Sequence, residues 1–175
     1  MNAAAFETVV NTYYQPLYRF ALSLAGGESA ACDLTQETFR RFASKGHQLR
    51  DPSKVKTWLF STLYRQFLRD NQEQRRLQPL ELVEADEQCA GSAPECENTI
   101  DGQTARTALL ELDETFRAPL SLFYLEEHSY QEIAEILNIP MGTVMSRIAR
   151  GRDLLRQRLR TGTQRPRHPL LSLSL

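Results

Sequence analysis

The chain has 175 residues, of which 41% are hydrophobic and 25% charged, and its formal net charge is −1 at pH 7. These values are ordinary for a soluble protein of one domain or two small ones. The sequence also argues against membrane insertion, because no apolar run in it approaches the roughly 18 residues of a membrane span. The N-terminus lacks the basic start and apolar core of a signal peptide, so we expect a cytoplasmic protein.

The net charge conceals a segregation of charge along the chain. Residues 1–78 hold eleven Lys/Arg against seven Asp/Glu, whereas residues 79–103 hold seven acidic residues and no basic one. Residues 141–160 hold six Arg against one Asp. A phosphate backbone interacts with such local basic patches, so the overall balance does not exclude a nucleic-acid partner.

Three helices are predicted in the first part of the chain. An apolar stripe predicts a helix over residues 3–25, and the two glycines that follow stop it. A second helix is expected over residues 28–44. A third is expected over residues 53–76, with Ser53 as its N-cap. Together they define a first domain, residues 1–78.

The next stretch changes character. Residues 79–103 are acidic, rich in small residues and poor in large aliphatic ones, which predicts a flexible linker that is mostly unstructured. Helix resumes near Thr104 and again at Asp113, where Pro119 is expected to kink or restart it.

The second domain is assigned to residues 104–160, and residues 161–175, which contain two prolines, are predicted to form a disordered tail. No strand-like alternation of any length is present. The predicted fold class is therefore all-α, with two small helical domains joined by a flexible acidic linker.

Residues 129–160 carry the most specific pattern. Ser129 followed by Glu132 is a capping box that begins a helix, and Asn138-Ile139-Pro140 ends it. A basic helix follows, with an apolar stripe of Val144, Ile148, Leu155 and Leu159. A helical hairpin with a solvated arginine face would show the same charge. The turn, the capping box and the charge together favour a helix-turn-helix that reads the DNA major groove.

This segment, SYQEIAEILNIPMGTVMSRIARGRDLLRQRL, resembles region 4 of bacterial sigma factors, above all the extracytoplasmic-function (ECF) class. The resemblance implies that the second helix reads the −35 promoter element. The implied −35 contacts are Thr143, Met145, Ser146, Arg147, Ala149 and Arg150. Met145 occupies a position that is often basic in the family. Arg150 is the best candidate for a guanine, because its fork can contact O6 and N7 together.

The first domain carries a second resemblance. Residues 33–39, Asp-Leu-Thr-Gln-Glu-Thr-Phe, are similar to the D-L-x-Q-E-x-F of region 2 in the same family. In that family the polar face of this helix docks on the clamp helices of the largest polymerase subunits. Cys32 stands where the family usually has an acidic residue. The implied polymerase-binding residues are Asp33, Gln36, Glu37, Phe39 and Arg40.

The third helix and the loop before it resemble the part of region 2 that melts and reads the −10 promoter element. A basic stripe with an aromatic suits single-stranded DNA, because cations follow phosphates and rings stack on bases. Trp58 is equally consistent with ordinary core packing, and Arg65 sits one residue late relative to the family pattern. The implied −10 contacts are His47, Arg50, Lys54, Lys56, Trp58, Arg65 and Arg69.

No catalytic constellation, metal-ligand spacing or cofactor motif is present in the sequence, so we expect neither an enzyme nor a cofactor. The implied function is that of a sigma factor, which binds core RNA polymerase and promoter DNA. Members of the family are commonly held inactive by an anti-sigma factor, which is a further expected partner. The alternative is a stand-alone helix-turn-helix repressor or activator with a sensor or dimerisation surface in its first domain.

Overall fold

The structure is a computed structural model that describes residues 3–77 and 100–162, and every regular element in these ranges is helical. Two short 3-10 helices, Gly46–Gln48 and Pro52–Lys54, lie between the second and third α-helices. The α-helices are α1 (Ala3–Ala25), α2 (Glu28–Lys45), α3 (Val55–Leu77), α4 (Ile100–Leu110), α5 (Glu114–Tyr124), α6 (Tyr130–Leu137) and α7 (Met141–Gly162).

Helices α1 to α3 form a first unit around an aromatic core. Phe20 and Phe60 are fully buried with ring centroids 5.5 Å apart, and Phe42 lies beside Trp58. Gly26 connects α1 to α2 with φ of +73°, a left-handed conformation that glycine adopts without strain. The cap expected at Ser53 is wrong: Asp51 caps the turn before α3 by accepting hydrogen bonds from the Ser53 amide and hydroxyl.

Helices α4 to α7 form a second unit, in which α6 and α7 are the predicted helix-turn-helix. Both halves of the capping box at Ser129 are present, and Asn138 closes α6 in the left-handed conformation with φ of 53°. Helix α5 continues through the buried Pro119 without restarting, because flanking apolar residues pack against the core on both sides of the proline.

The two units pack directly on each other and share one continuous core. Helices α1 and α3 of the first unit contact α4, α5 and α6 of the second. The all-α prediction with two helical domains is confirmed. Nothing in the sequence pattern predicted that the two domains would share a core.

Two predicted boundaries move. Helix α4 begins at Ile100, four residues before the expected start near Thr104 and inside the stretch assigned to the linker. Helix α7 ends at Gly162, two residues into the stretch assigned to the tail. The other residues of the predicted linker and tail, 79–99 and 163–175, lie outside the described residues.

Gly151 lets α7 approach α5 closely. It is buried, and a Cβ built there would lie 2.9 Å from Leu120 Cδ1 and 3.1 Å from Phe116 Cβ. Gly142, on the same helix, has open space around it. The first glycine is therefore required by packing, whereas the second is not.

Replacing Gly151 by alanine is expected to lower the free energy of unfolding by about 1 kcal/mol. Overpacking costs about 1–3 kcal/mol, and the higher helix propensity of alanine returns about 1 kcal/mol. Urea denaturation followed by circular dichroism measures the change. Gly142→Ala is the matched control and is expected to be neutral or stabilising. Equal effects of the two substitutions would contradict the packing argument.

Candidate nucleic-acid and protein interfaces

The outer face of α2 carries a polar cluster. Asp33, Gln36 and Arg40 are exposed and Glu37 is partly exposed. Glu37 accepts hydrogen bonds from the Arg40 guanidinium at 2.6 and 2.8 Å and from Arg41 Nε at 2.6 Å. The hydrogen bonds from Arg40, then Arg41, lower the pKa of Glu37 to about 2. The side chain is therefore an anchored carboxylate at neutral pH.

Phe39 does not belong to this exposed face. It is 7% exposed, and its ring stacks on Tyr14 of α1 with centroids 6.3 Å apart. Its contribution is to hold α2 against α1. We therefore retain Asp33, Gln36, Glu37 and Arg40 as the surface that a protein partner can contact.

A groove of about 680 Å³ runs along the edge of the same face. Asp33 and Glu37 line one side, and Arg117 of α5 lines the other. Arg117 crosses between the units by donating to the Leu110 carbonyl at 2.7 Å and the Leu24 carbonyl at 3.0 Å. The second unit thus lies at the border of the acidic face of α2.

A basic surface covers the exposed side of α3 and the loop before it. His47, Arg50, Arg65 and Arg69 are exposed. Trp58 is half-buried: one side packs on Phe42 at 5.5 Å between centroids. Trp58 also borders two small pockets, which between them contain Arg41, Lys45, Arg50, Lys54, Arg65 and Arg69. The two alternatives for Trp58 therefore coexist, since it packs on the core and still borders cationic pockets.

Lys54 and Lys56, two of the predicted −10 contacts, have partners in the second unit. Lys54 Nζ lies 3.3 Å from Glu135 Oε2 of α6. Lys56 Nζ donates to the Glu126 carbonyl oxygen at 3.4 Å. Both partners are acceptor oxygens, the kind of group that a DNA phosphate would present. Part of the basic surface is therefore already paired with acceptor oxygens of the second unit.

The start of α7 presents a separate exposed row. Met145, Ser146, Ala149 and Arg150 are exposed, whereas Val144 and Ile148 on the opposite side are buried. The Ser146 hydroxyl donates to the Thr143 carbonyl at 3.0 Å, and Thr143 itself is half-buried. This row is therefore accessible to solvent in the structure.

Arg147 lies at the margin of this row. It is half-buried and close to Tyr64 of α3, whose phenol has its pKa raised to about 12, chiefly by burial, while Arg147 acts in the opposite direction. Arg147 is therefore less accessible than Arg150.

Three residues that the sequence analysis assigned to no site, Arg19, Glu126 and His128, contribute to the contact between the units. Glu126 has a side chain only 2% exposed and accepts from Arg19 Nε and Nη2, both at 3.1 Å. His128 is 1% exposed, and its ring lies edge-on to Phe60 at 4.7 Å between centroids. Neither ring nitrogen has a hydrogen-bond partner. No periodicity signals this contact, because 107 residues separate Arg19 from Glu126.

Two kinds of site were sought in the described ranges. Within residues 3–77 and 100–162, no group of His, Cys, Asp and Glu has the geometry of a metal site. No helix there has the length and apolar character needed to cross a membrane.

Comparison with known proteins identifies the family models that match the two units. The family model for sigma-70 region 2 matches residues 9–77, and the model for sigma-70 region 4 matches residues 103–155. The first match contains the acidic face of α2 and the basic surface of α3. The second contains the helix-turn-helix with its exposed row.

Individual proteins give the same result over most of the chain. The ECF RNA polymerase sigma factor SigM of Bacillus subtilis is 30% identical, covering 86% of this chain and 92% of SigM. SigE of Mycolicibacterium smegmatis is 33% identical over 89% of this chain, which spans only 62% of SigE. The sigma factor RpoE of Bartonella quintana, solved in complex with the anti-sigma factor NepR, superposes with a TM-score of 0.76 at 26% identity, covering 89% of this chain and 97% of RpoE.

Proposed function

Because this chain belongs to the ECF family of RNA polymerase sigma factors, which direct the polymerase to promoters and are not enzymes, we propose an assignment of its surfaces. The acidic face of α2 binds core RNA polymerase. The basic surface of α3 and the preceding loop takes the −10 element, and the exposed row of α7 reads the −35 element. The stand-alone repressor or activator is set aside, because both sigma regions are present.

The observation that carries this assignment is the separation of three chemically different surfaces on one helical chain. An anchored carboxylate cluster suits a protein partner with complementary charge. Cationic pockets around Trp58 suit single-stranded DNA, where bases stack on rings. The N-terminal turns of the second helix of a helix-turn-helix reach base edges in the major groove.

The partners and the location follow from the same assignment. Core RNA polymerase and promoter DNA are the proposed working partners, and a cytoplasmic location is proposed because these partners are found there. The similarity to RpoE, which was solved with the anti-sigma factor NepR, supports an anti-sigma factor as a regulatory partner. No cofactor or metal enters this function.

The test of the function is reconstitution. The purified chain is expected to bind core RNA polymerase and to direct initiation from a subset of promoters in a random promoter library. A chain that binds core polymerase and yields no enriched promoter would overturn the assignment of the DNA surfaces. A chain that does not bind core polymerase would overturn the assignment of α2.

Within the −35 surface, Arg150→Ala is expected to relax base preference at one position. A bidentate contact from arginine to guanine is worth about 1–3 kcal/mol of discrimination. Arg147→Ala is the matched control, because Arg147 lies at the margin of the row and is proposed to contact phosphate. This substitution is expected to weaken binding to all promoters alike and to flatten its salt dependence. Promoter selection with each variant measures both effects. An unchanged −35 consensus with Arg150→Ala would show that Arg150 reads no base.

A further inference from the structure

We propose that residues 163–175, here called the tail segment, bind in the groove that borders the acidic face of α2, so that the chain carries its own ligand for this groove. The proposal is carried by the lining of the groove, by the composition of the tail segment and by the place where α7 ends. Only its consequence for polymerase binding rests on the proposed function.

The groove combines an apolar lining with an acidic one. Its volume is about 680 Å³, and helices α2, α3 and α5 contribute to its walls. The apolar lining includes Leu34, Phe67 and Leu110. The acidic lining consists of Asp33, Glu37 and Asp70. An occupant that carries both apolar and positively charged side chains is therefore complementary to it.

The negative charge of the groove is only partly compensated. Glu37 is paired with two arginines of α2. Asp70, in contrast, accepts from the neutral amide of Gln66 at 2.7 Å, and Asp33 is exposed. Arg117, the cation among the residues that line the groove, already donates to two backbone carbonyls. Asp33 and Asp70 are thus the carboxylates that an incoming cation would meet.

Two buried polar atoms of the lining also lack a partner. Within the described residues, Gln66 Oε1 and Arg117 Nε make no hydrogen bond, although most buried polar atoms in proteins do. The first is an acceptor and the second a donor. A peptide backbone carries both complementary groups, N–H and C=O. Because both side chains line the groove, a rotation of each would bring its unpaired atom to a bound peptide.

The tail segment has the composition that the groove requires. Its sequence is Thr-Gln-Arg-Pro-Arg-His-Pro-Leu-Leu-Ser-Leu-Ser-Leu, with two arginines, four leucines and no acidic residue. The cations precede the leucines, so one extended stretch can present charge to the carboxylates and leucines to the apolar lining. Its two prolines restrict the unbound conformations, which reduces the entropy lost on binding.

Helix α7 ends near enough for the tail segment to reach the groove. Arg158 Nη1 of α7 lies 2.6 Å from Glu111 Oε2, and Leu110, the residue before Glu111, lines the groove. The lengths of these two side chains and of one helical turn place Gly162 within about 25 Å of Leu110. Thirteen extended residues span up to about 43 Å.

The covalent connection makes weak binding sufficient. A short flexible tether gives an effective concentration of about 1 mM, so a segment whose separate peptide binds with a Kd of about 0.1 mM occupies its groove about nine-tenths of the time. The bound segment lies beside Asp33 and Glu37. Under the proposed function it therefore competes with core polymerase for the acidic face of α2.

The experiment titrates a fluorescein-labelled peptide of residues 163–175 onto the full chain without polymerase, followed by fluorescence anisotropy. A tail variant of the full chain vacates the groove without adding charge: Arg165→Gln, Arg167→Gln, Leu170→Ser and Leu171→Ser. The peptide should bind this variant with a Kd of about 0.1 mM or below, and the parent about tenfold more weakly, because the parent's own segment competes at about 1 mM.

A pair of substitutions added to the tail variant locates the binding site. Asp70→Lys reverses a charge inside the groove and is expected to weaken peptide binding at least about tenfold. Glu73→Lys makes the same change at an exposed position of α3 that does not line the groove, and is expected to alter the affinity by less than about twofold. Should Asp70→Lys lose helix content by circular dichroism, Asp70→Asn serves instead, with an expected loss of about threefold.

Equal peptide affinities for the parent and the tail variant would overturn the proposal, as would equal effects of the substitutions at Asp70 and Glu73. The affinity of both full chains for core polymerase is measured in parallel, and the tail variant should bind about tenfold more tightly. Equal polymerase affinities would overturn the competition. Failure of both chains to bind polymerase bears on the proposed function, whereas the peptide titration bears on the groove alone.

Discussion

Replacing Asp33 and Glu37 together by lysine is expected to weaken binding to core RNA polymerase by at least about 100-fold, since like charges brought together at an interface cost several kcal/mol. Glu37 also holds Arg40 and Arg41 at hydrogen-bond distance. A lysine there releases both arginines and places a third cation beside them. The docking face changes from an ordered mixture of charges to a positive patch.

The fold is expected to survive this change, because surface substitutions usually alter stability by only a few tenths of a kcal/mol. Glu7→Lys with Glu73→Lys is the matched control, since both residues are exposed, lie outside the docking face and carry the same change in charge. A binding titration with core polymerase measures the affinity. Equal affinities for the two double variants would show that α2 is not the docking element.

The packed arrangement of the two units, here called the closed form, is expected to open as the pH falls from about 6.5 towards 4. Burial lowers the pKa of His128 from its ordinary value of 6.5 to about 4, and nearby Lys56 acts in the same direction. A histidine whose pKa is depressed in one state favours that state only while it is neutral. Closure is therefore fully favoured above about pH 6.5 and loses about 3 kcal/mol by pH 4.

Other charged groups at this contact also respond to pH. Burial raises the pKa of the Glu126 carboxyl, which favours closure where that group titrates and so opposes the histidine. Hydrogen bonds from Ser129, first from its backbone amide, lower the pKa of Glu132, so its contribution is lost only in more acidic solution. His128 and Glu126 therefore act in opposite directions as the pH falls below about 6.5, and comparison with a variant that lacks the histidine isolates the contribution of His128.

Small-angle scattering across this range measures opening, and circular dichroism at each pH establishes that the helices persist. His128→Phe keeps an aromatic ring against Phe60 and cannot be protonated, so its shape should not change between pH 6.5 and 4.5. His47→Gln, which removes an exposed histidine, should behave like the parent. If the parent protein and the His47→Gln variant both stay compact at pH 4.5, the role of His128 is contradicted.

Local chemistry made the helix-turn-helix predictable from sequence. The capping box at Ser129, the left-handed Asn138 and the apolar stripe of α7 each depend on residues within a few positions of one another. The same holds for α1, whose periodic stripe outweighs Pro16 in its interior. Such patterns need no knowledge of distant parts of the chain.

The contact between the units could not be predicted because it depends on pairs that are remote in sequence. Arg19 with Glu126 and Ser61 with Ile136 are separated by 107 and 75 positions. A lone glutamate, histidine or serine carries no signal of its distant partner. At Pro119 the helix α5 does not restart, and the residues on both sides of the proline include buried ones.

Gly151 has a consequence for how promoter preference can change. It neighbours Arg150 and sets how closely α7 rests on Leu120, so under the proposed −35 assignment it would fix the tilt at which the exposed row meets DNA. Promoter preference would therefore depend on two kinds of residue. One kind contacts the bases, and the other, such as Gly151, contacts only protein and sets the position of α7. Introducing Ser146 and Arg150 into another helix-turn-helix would transfer the proposed base-contacting side chains but not the tilt of the helix that presents them. Relatives can thus diverge in promoter choice while every base-contacting residue stays the same.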